Sequence, residues 1–266
     1  MTNYSKLFRE ELRSQGAFPE CYAFSVHKAG STLMNKMIEQ VCHRADIPAI
    51  NLPAKLFQQG IPGGDWEKDE GIIPLIGPGR IYYGFRFLPE VLLNATLQVR
   101  HRKSVLLIRD PRDALVSQYF SFGGKHFSHA LPGKNQRAFL AGTKGPDHLD
   151  IDEYVLSSAP AYHRKLTKYR ESLDFNNVLL FRYEEIFFDK RKFLSDLFGY
   201  FGIAVPGGLL EEIAGKNDVR PEAEDITRHI RKGRPGDHAE KLQPETIARL
   251  NDEFRETCAW YGYDLS

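Results

Sequence analysis

Lys28-Ala29-Gly30-Ser31-Thr32 follows a short apolar run, Cys21 to Val26, and opens an amphipathic stretch that continues to Arg44. A strand that turns through such a sequence into a helix aims successive backbone N–H groups and the positive end of the helix dipole at one spot. A lysine and two hydroxyls placed there complete an anion cradle. The pattern G-x-x-x-x-G-K-[ST] occurs nowhere in the chain: Gly124-Lys125, Gly133-Lys134 and Gly215-Lys216 are followed by His or Asn. Here the lysine precedes the glycine, which points away from ATP and GTP. A second candidate anion site is Arg109-Asp110-Pro111-Arg112-Asp113, with Ser117 two turns into the helix that Asp110 caps and Pro111 opens. Arg109 there can grip a phosphate with two charge-assisted bonds. The third is the basic, glycine-bearing run Arg231-Lys232-Gly233-Arg234-Pro235-Gly236-Asp237.

These residues need elements to position them. Cys21–Val26, Ser104–Ile108 and Asn177–Phe181 read as buried strands. The helix from Ser31 to Arg44 carries Leu33, Met34, Met37, Ile38 and Val41 on one face; a second runs from Pro111 through Phe120; Lys190–Phe201 turns five large apolar residues inward; and a last helix opens at Pro244. Pro206-Gly207-Gly208 reads as the end of the Lys190–Phe201 unit. Strand-then-helix alternation without repeats predicts one α/β domain over residues 1–266, a three-layer fold with a central, mostly parallel sheet flanked by helices. Gly60–Arg80 and Gly123–Asp150 break the alternation and read as long loops bordering the site.

Composition narrows the function. Lys and Arg number 36 against 35 Asp and Glu, a net charge of +1, so no global field draws nucleic acid or an anionic membrane, and any anion site is local. Three cysteines without a CxxC pair suggest neither a disulfide framework nor a thiolate zinc site. His126 and His129 have helical metal-ligand spacing but no third ligand in register. No apolar leader or membrane span is visible, and the expectation is a cytoplasmic, soluble protein, monomer or homodimer.

With the three basic motifs in place, the sequence resembles the cytosolic-type P-loop sulfotransferases, which use 3′-phosphoadenosine 5′-phosphosulfate (PAPS). Their loop for the 5′-phosphosulfate, approximately Y-P-K-S-G-T-T-W, is similar to Val26-His27-Lys28-Ala29-Gly30-Ser31-Thr32-Leu33. Their R-[ND]-P-[KR]-D-x-x-x-S is matched by Arg109 to Ser117, their Y-E-[DE] by Tyr183-Glu184-Glu185, and their late R-K-G-x-x-G-D by Arg231 to Asp237. The resemblance implies that Lys28, Ala29, Gly30, Ser31 and Thr32 hold the 5′-phosphosulfate. It further implies that Arg109, Ser117, Arg231, Lys232 and Gly233 hold the 3′-phosphate and that Tyr183 sits near the adenine. The reaction it implies moves a sulfuryl group to a hydroxyl or amine of a small-molecule or glycan acceptor, gives PAP, and needs no metal.

The departures bear on mechanism. Leu33 stands where the family has an adenine-stacking tryptophan. Phe85-Arg86-Phe87-Leu88-Pro89 is the only stretch like the family's K-T-H-L-P, so its catalytic histidine is missing. Lys28 remains the natural stabiliser of charge on the bridging oxygen. His27 is the candidate base, with His126, His129, Asp65 and Glu67 as alternatives. Each piece has a plainer reading too: a helix cap at Ser31, an ion pair of Arg109 with Asp113 or Glu184, a surface hydroxyl at Ser117, a core tyrosine at Tyr183. A P-loop nucleotide or sugar kinase, or a catalytically silent PAP- or PAPS-binding protein, are the rival functions.

Overall fold

Apolar and aromatic side chains crowd Cys21–Ser25, Ile81–Phe85 and Ser104–Ile108, and every residue of these three strands is buried. Strands covered on both faces are stable only with helices above and below, which parallel crossovers supply. The computed structural model describes residues 4–122, 150–220 and 234–265. Among them are strands β1 (Cys21–Ser25), β2 (Ala49–Asn51), β3 (Ile81–Phe85), β4 (Ser104–Ile108) and β5 (Val178–Arg182). They form one sheet in the order β2-β3-β1-β4-β5, and every pairing is parallel.

The chain leaves β1 through helix α1 (Ser31–Arg44) and builds outward through β2 and β3, then returns to β1's other side for β4 and β5. That reversal places the carboxyl ends of β3, β1 and β4 side by side, the position where open α/β sheets bind ligands. Helix α4 (Pro111–Phe122) packs on α5 (Ile151–Ser172), which in turn packs on α10 (Pro244–Tyr261); α7 (Lys190–Phe201) and α1 both contact α8 (Gly207–Lys216). No helix among the described residues is long and apolar enough to cross a membrane.

The helices at Ser31, Lys190 and Pro244 begin where their sequence signals place them, and the Asn177–Phe181 strand is shifted by one residue to Val178–Arg182. That strand is the fifth, because β2 and β3 precede it. Pro206-Gly207-Gly208 does not end α7 but opens α8. The stop is Gly202 in the left-handed conformation (φ 75°), whose N–H returns to the carbonyls of Phe198 and Gly199. Proline at a helix start loses no bond, since that N–H has no intrahelical partner. Gly60–Arg80 is likewise not bare loop. It holds short helix α3 (Gly63–Trp66) and a 3₁₀ turn, Glu70–Leu75, with Trp66, Ile72 and Leu75 buried.

One irregularity in the sheet matters for the site. The β1–β3 register slips by one residue between Tyr22↔Tyr82 and Phe24↔Phe85, and Gly84 within the slip has φ 95°. A Cβ on Gly84 would lie 2.0 Å from Oδ1 of Asn51, the oxygen that caps α2 (Leu52–Gln58) by accepting from Ala54 N. A bulge of this kind re-aims the strand end, and the Ser25 hydroxyl fixes the result by donating to the Phe85 carbonyl at 2.9 Å. Gly84→Ala should destabilise the fold by roughly 1–3 kcal/mol from backbone strain alone. Asn51→Ala, itself costing about 1 kcal/mol as a lost cap, should recover part of that loss in the double variant. Urea midpoints of the four proteins test it; additive losses would mean that Asn51 is not what Gly84 makes room for.

Candidate active site

Lys28 and Gly30 both take positive φ, 64° and 88°, and this double kink turns the end of β1 into the first turn of α1. Gly30 is required twice over. A Cβ there would enter the left-handed region and also lie 2.5 Å from Cδ2 of Tyr183. The Tyr183 ring presses on the loop from the first turn of α6 (Tyr183–Phe188) and carries the Arg109 guanidinium on its face, 4.7 Å from the ring centroid. Tyr183 is thus buried and is the packing partner of two candidate binding residues. Ala29 and Ser31 are buried and Thr32 is exposed.

On the β4 side, Arg109 leaves the strand end and is 8% exposed. Its Nη2 is 3.4 Å from Asp113 Oδ2 and 3.5 Å from the Arg234 carbonyl, while Nη1 is 3.5 Å from the Lys28 carbonyl. Its Nε is buried with no hydrogen-bond partner among the described residues, an orphan donor of the kind an anion satisfies. Burial alone would raise Asp113, but hydrogen bonds from His238 and the Arg109 charge overcome it and hold the carboxyl well below the usual range. Gly236 N, His238 N and His238 Nδ1 reach the same carboxylate at 2.6, 2.9 and 2.7 Å. Arg231, Lys232 and Gly233 lie outside the described residues, as do His126 and His129; the residue that follows them, Arg234, is the one beside Arg109.

Lys28 Nζ donates to the Ser121 hydroxyl on α4, one turn beyond half-buried Ser117. The loop lysine and the helix after β4 therefore meet. Ser121 had no sequence signal of its own beyond its i, i+4 relation to Ser117.

On the β3 side, the bulged strand delivers Arg86, a residue the motif reading passed over. Its Nε donates to Ser31 Oγ at 3.1 Å, and its Nη2 lies 3.5 Å from Thr32 Oγ1. An arginine just past a strand end, the same placement that singled out Arg109, was the signal available. Phe87 packs against Trp66, the rings tilted by 45° with centroids 5.8 Å apart. The Glu67 carboxyl lies alongside, since a Cβ on Gly63 would meet Glu67 Oε1 at 2.4 Å and Phe87 Cζ at 3.9 Å. Burial raises Glu67 above the usual carboxylate range. Asp65 sits on α3. Leu33 packs against the core.

His27 occupies the junction of these groups. Its carbonyl accepts from the Tyr162 hydroxyl at 3.0 Å, its imidazole meets the backbone of Arg86, and its Nδ1 is buried without a partner. Burial, then the charges of Lys165, Arg86 and Lys28, push the imidazole down to about 3 from an ordinary 6.5. His27 is therefore neutral across pH 5–8 in the free chain, and the titration expected of an ordinary histidine in that window is displaced. The depressed value means that unfolding takes up a proton below pH 6.5. The associated stability is complete above pH 6.5 and declines as the pH falls toward 3, by about 2 kcal/mol at pH 5. His27→Gln should lose less stability than the parent between pH 7.5 and 5 in urea titrations. Equal losses would mean that the imidazole is charged in the folded chain.

A family model, the sulfotransferase domain, matches residues 22–262. A comparison with curated proteins finds no match. Among solved structures, mouse sulfotransferase SULT7A1 complexed with PAP aligns over 96% of this chain and 89% of its own, at 17% identity and a TM-score of 0.64. A sulfotransferase from Alicyclobacillus acidocaldarius aligns over 93% and 97%, at 12% identity and a TM-score of 0.49. Retinol dehydratase in a complex with retinol and PAP aligns over 90% and 81%, at 14% identity and a TM-score of 0.49. The parallel sheet with its Lys28–Thr32 turn at the end of β1 and the match across nearly the whole chain lead to one conclusion: this chain belongs to the sulfotransferase domain family.

Proposed function

We propose that this sulfotransferase takes its sulfuryl group from PAPS and passes it to a hydroxyl, or an amine, of a small acceptor, releasing PAP. The observation that carries the reading is the pair of cationic clusters flanking the end of β1: Lys28 and Arg86 around Ser31 and Thr32 on one side, and Arg109 with its orphan Nε on the other. A nucleotide bearing anions at both its 5′ and 3′ positions fits two such clusters, and a nucleotide with a single phosphate chain does not use the second. The PAP held by the mouse enzyme of like fold supports the same assignment. Residues 1–266 are read as one domain, with Ala29, Gly30, Ser31 and Thr32 cradling the phosphosulfate. Arg109, Ser117, Arg231, Lys232 and Gly233 hold the 3′-phosphate. Tyr183 serves as the wall between the two.

In the reaction, the acceptor oxygen forms a bond to sulfur while the bond from sulfur to the 5′-phosphate oxygen breaks, and the acceptor proton leaves. Lys28 stabilises charge on the departing oxygen, a preorganised electrostatic role. His27 is assigned as the base. Burial and the charges of Lys165, Arg86 and Lys28 suppress its basicity in the free chain; the last two are offset once the phosphosulfate's negative charges lie beside them, so the imidazole gains proton affinity in the loaded site. Phe87 offers no titratable group, and Glu67 beside it is the alternative.

Two substitutions separate the roles. Lys28→Ala should lower single-turnover transfer by about 10²–10³, the usual value of one preorganised donor, and wild-type turnover would remove Lys28 from the mechanism. Arg109→Ala should weaken PAP binding in calorimetry by roughly 1.5–3 kcal/mol. It should weaken adenosine 5′-phosphosulfate, which lacks the 3′-phosphate, far less; equal losses would mark Arg109 as a structural ion-pair partner of Asp113. Tight PAP binding with no transfer to any acceptor would favour a silent binding protein, and a requirement for magnesium would favour a kinase.

A further inference from the structure

Helix α5 is bolted to the mouth of β1 by two tyrosines. Tyr162 donates to the His27 carbonyl at 3.0 Å, and Tyr169 to the Ser25 carbonyl at 3.1 Å. Lys165 lies between them on the helix, three residues after Tyr162 and four before Tyr169, which puts it on the face turned to the loop. Its charge is the largest single one acting on His27, ahead of Arg86 and Lys28. Burial pushes its ammonium below the usual lysine range, and among the described residues it makes no hydrogen bond or ion pair. Its neighbour one turn on, Lys168, is treated differently. Lys168 faces Glu90 at 4.0 Å and is the strongest charge on Glu67.

A half-buried cation without a counter-ion, held by a helix that is bonded to the loop, is placed to receive an anion from outside. The phosphosulfate is not enough to account for it. Under the proposed function, that group brings one negative charge on phosphorus and one on sulfur, and Lys28 and Arg86 already stand at the loop that cradles it. A third cation remains, on the helix bonded to the His27 carbonyl and acting on the imidazole assigned to deprotonate the acceptor. We infer that Lys165 receives an anionic group of the acceptor, so that the preferred substrates are hydroxyl compounds carrying a carboxylate, sulfate or phosphate near the reacting oxygen.

This inference rests on the sulfotransferase reading, and the experiment keeps the two apart. PAP binding by the full chain is measured first, and a chain that does not bind PAP overturns the nucleotide assignment, whatever the acceptor. Transfer from PAPS is then compared within matched pairs: 3- and 4-hydroxybenzoate against their amides, and glucose 6-sulfate and glucuronate against glucose. The acid of each pair should be favoured in kcat/KM by at least tenfold. Lys165→Met should erase the preference by raising KM for the acids roughly ten- to a hundredfold, the range of one charge-assisted hydrogen bond. PAP affinity and KM for the neutral members should stay within about twofold, any change in kcat through His27 should be common to acids and neutral members, and Lys165→Arg should retain the preference. Because the substitution removes an unpaired buried charge, Lys165→Met should fold at least as stably as the parent. Equal kcat/KM for acid and amide, equal losses for both in the variant, or no transfer to any acid by a chain that binds PAP would each overturn the inference. Weakened PAP affinity would place Lys165 in the nucleotide site instead.

Discussion

A carboxylate at 1% exposure must meet donors on nearly all its lone pairs, and Asp113 meets four: Arg109 Nη2, Gly236 N, His238 N and His238 Nδ1. That convergence ties together two stretches far apart in the chain, 109–113 and 236–238. It sets the guanidinium at the end of β4 and holds the segment from Arg234 to His238 against α4. An arginine on the face of Tyr183 without such a partner would be free to swing, and Tyr183 would lose the cation that packs it onto Gly30. Removing one member of a buried ion pair leaves the other uncompensated, which is why such hubs cost far more to break than to replace as a whole.

The two flanks of β1 follow different electrostatic logic. On the β4 side the arginine is half neutralised by Asp113, so a ligand there competes with a resident carboxylate and gains geometry more than raw charge. On the β3 side Lys28, Arg86 and Lys165 share a buried neighbourhood in which the described residues supply hydroxyls, a neutral imidazole and backbone, but no carboxylate to Arg86 or Lys165. A cluster of that kind is stabilised by binding anions and destabilised without them. Together with burial it explains why His27 is held neutral: of the four groups, the imidazole is the one with the lowest ordinary proton affinity and sheds its charge first.

How far this was legible in sequence depended on whether the signal was local. The turn at 28–30, the Asp110-Pro111 cap and the helices starting at Ser31, Lys190 and Pro244 are carried by neighbouring residues, and they stand where the residues place them. Arg109 was legible as a strand-end arginine, and its pairing with Asp113 was one of two partners its surroundings allowed. Pro206-Gly207-Gly208 misled because glycine and proline punctuate both ends of helices, and only the left-handed φ of Gly202 shows which residue does the stopping. Strands β2 and β3 were obscured by shortness and by Gly84. The depressed proton affinity of His27 was not legible because it is set by burial in the fold and by Lys165 and Arg86, residues 138 and 59 positions away in the chain.

Arg86 shows best why the β3 flank escaped the motifs. Read along the chain, Phe85-Arg86-Phe87 is one exposed-looking charge between two aromatics, and nothing local assigns it a ligand. Its placement follows from the sheet: Gly84 lets the backbone slip by one position against β1, and the Ser25 hydroxyl locks the slipped Phe85 carbonyl. A one-residue slip exchanges the faces of every residue beyond it. The same slip that turns Phe85 into the core, where it packs on Phe24 at 5.3 Å, therefore turns Arg86 to Ser31 and Thr32. A glycine that weakens the strand is thus what brings the second cation to the cradle, and the cost in strand propensity is met by the packing of Phe85 and the bonds of Arg86 rather than by anything at residue 84 itself.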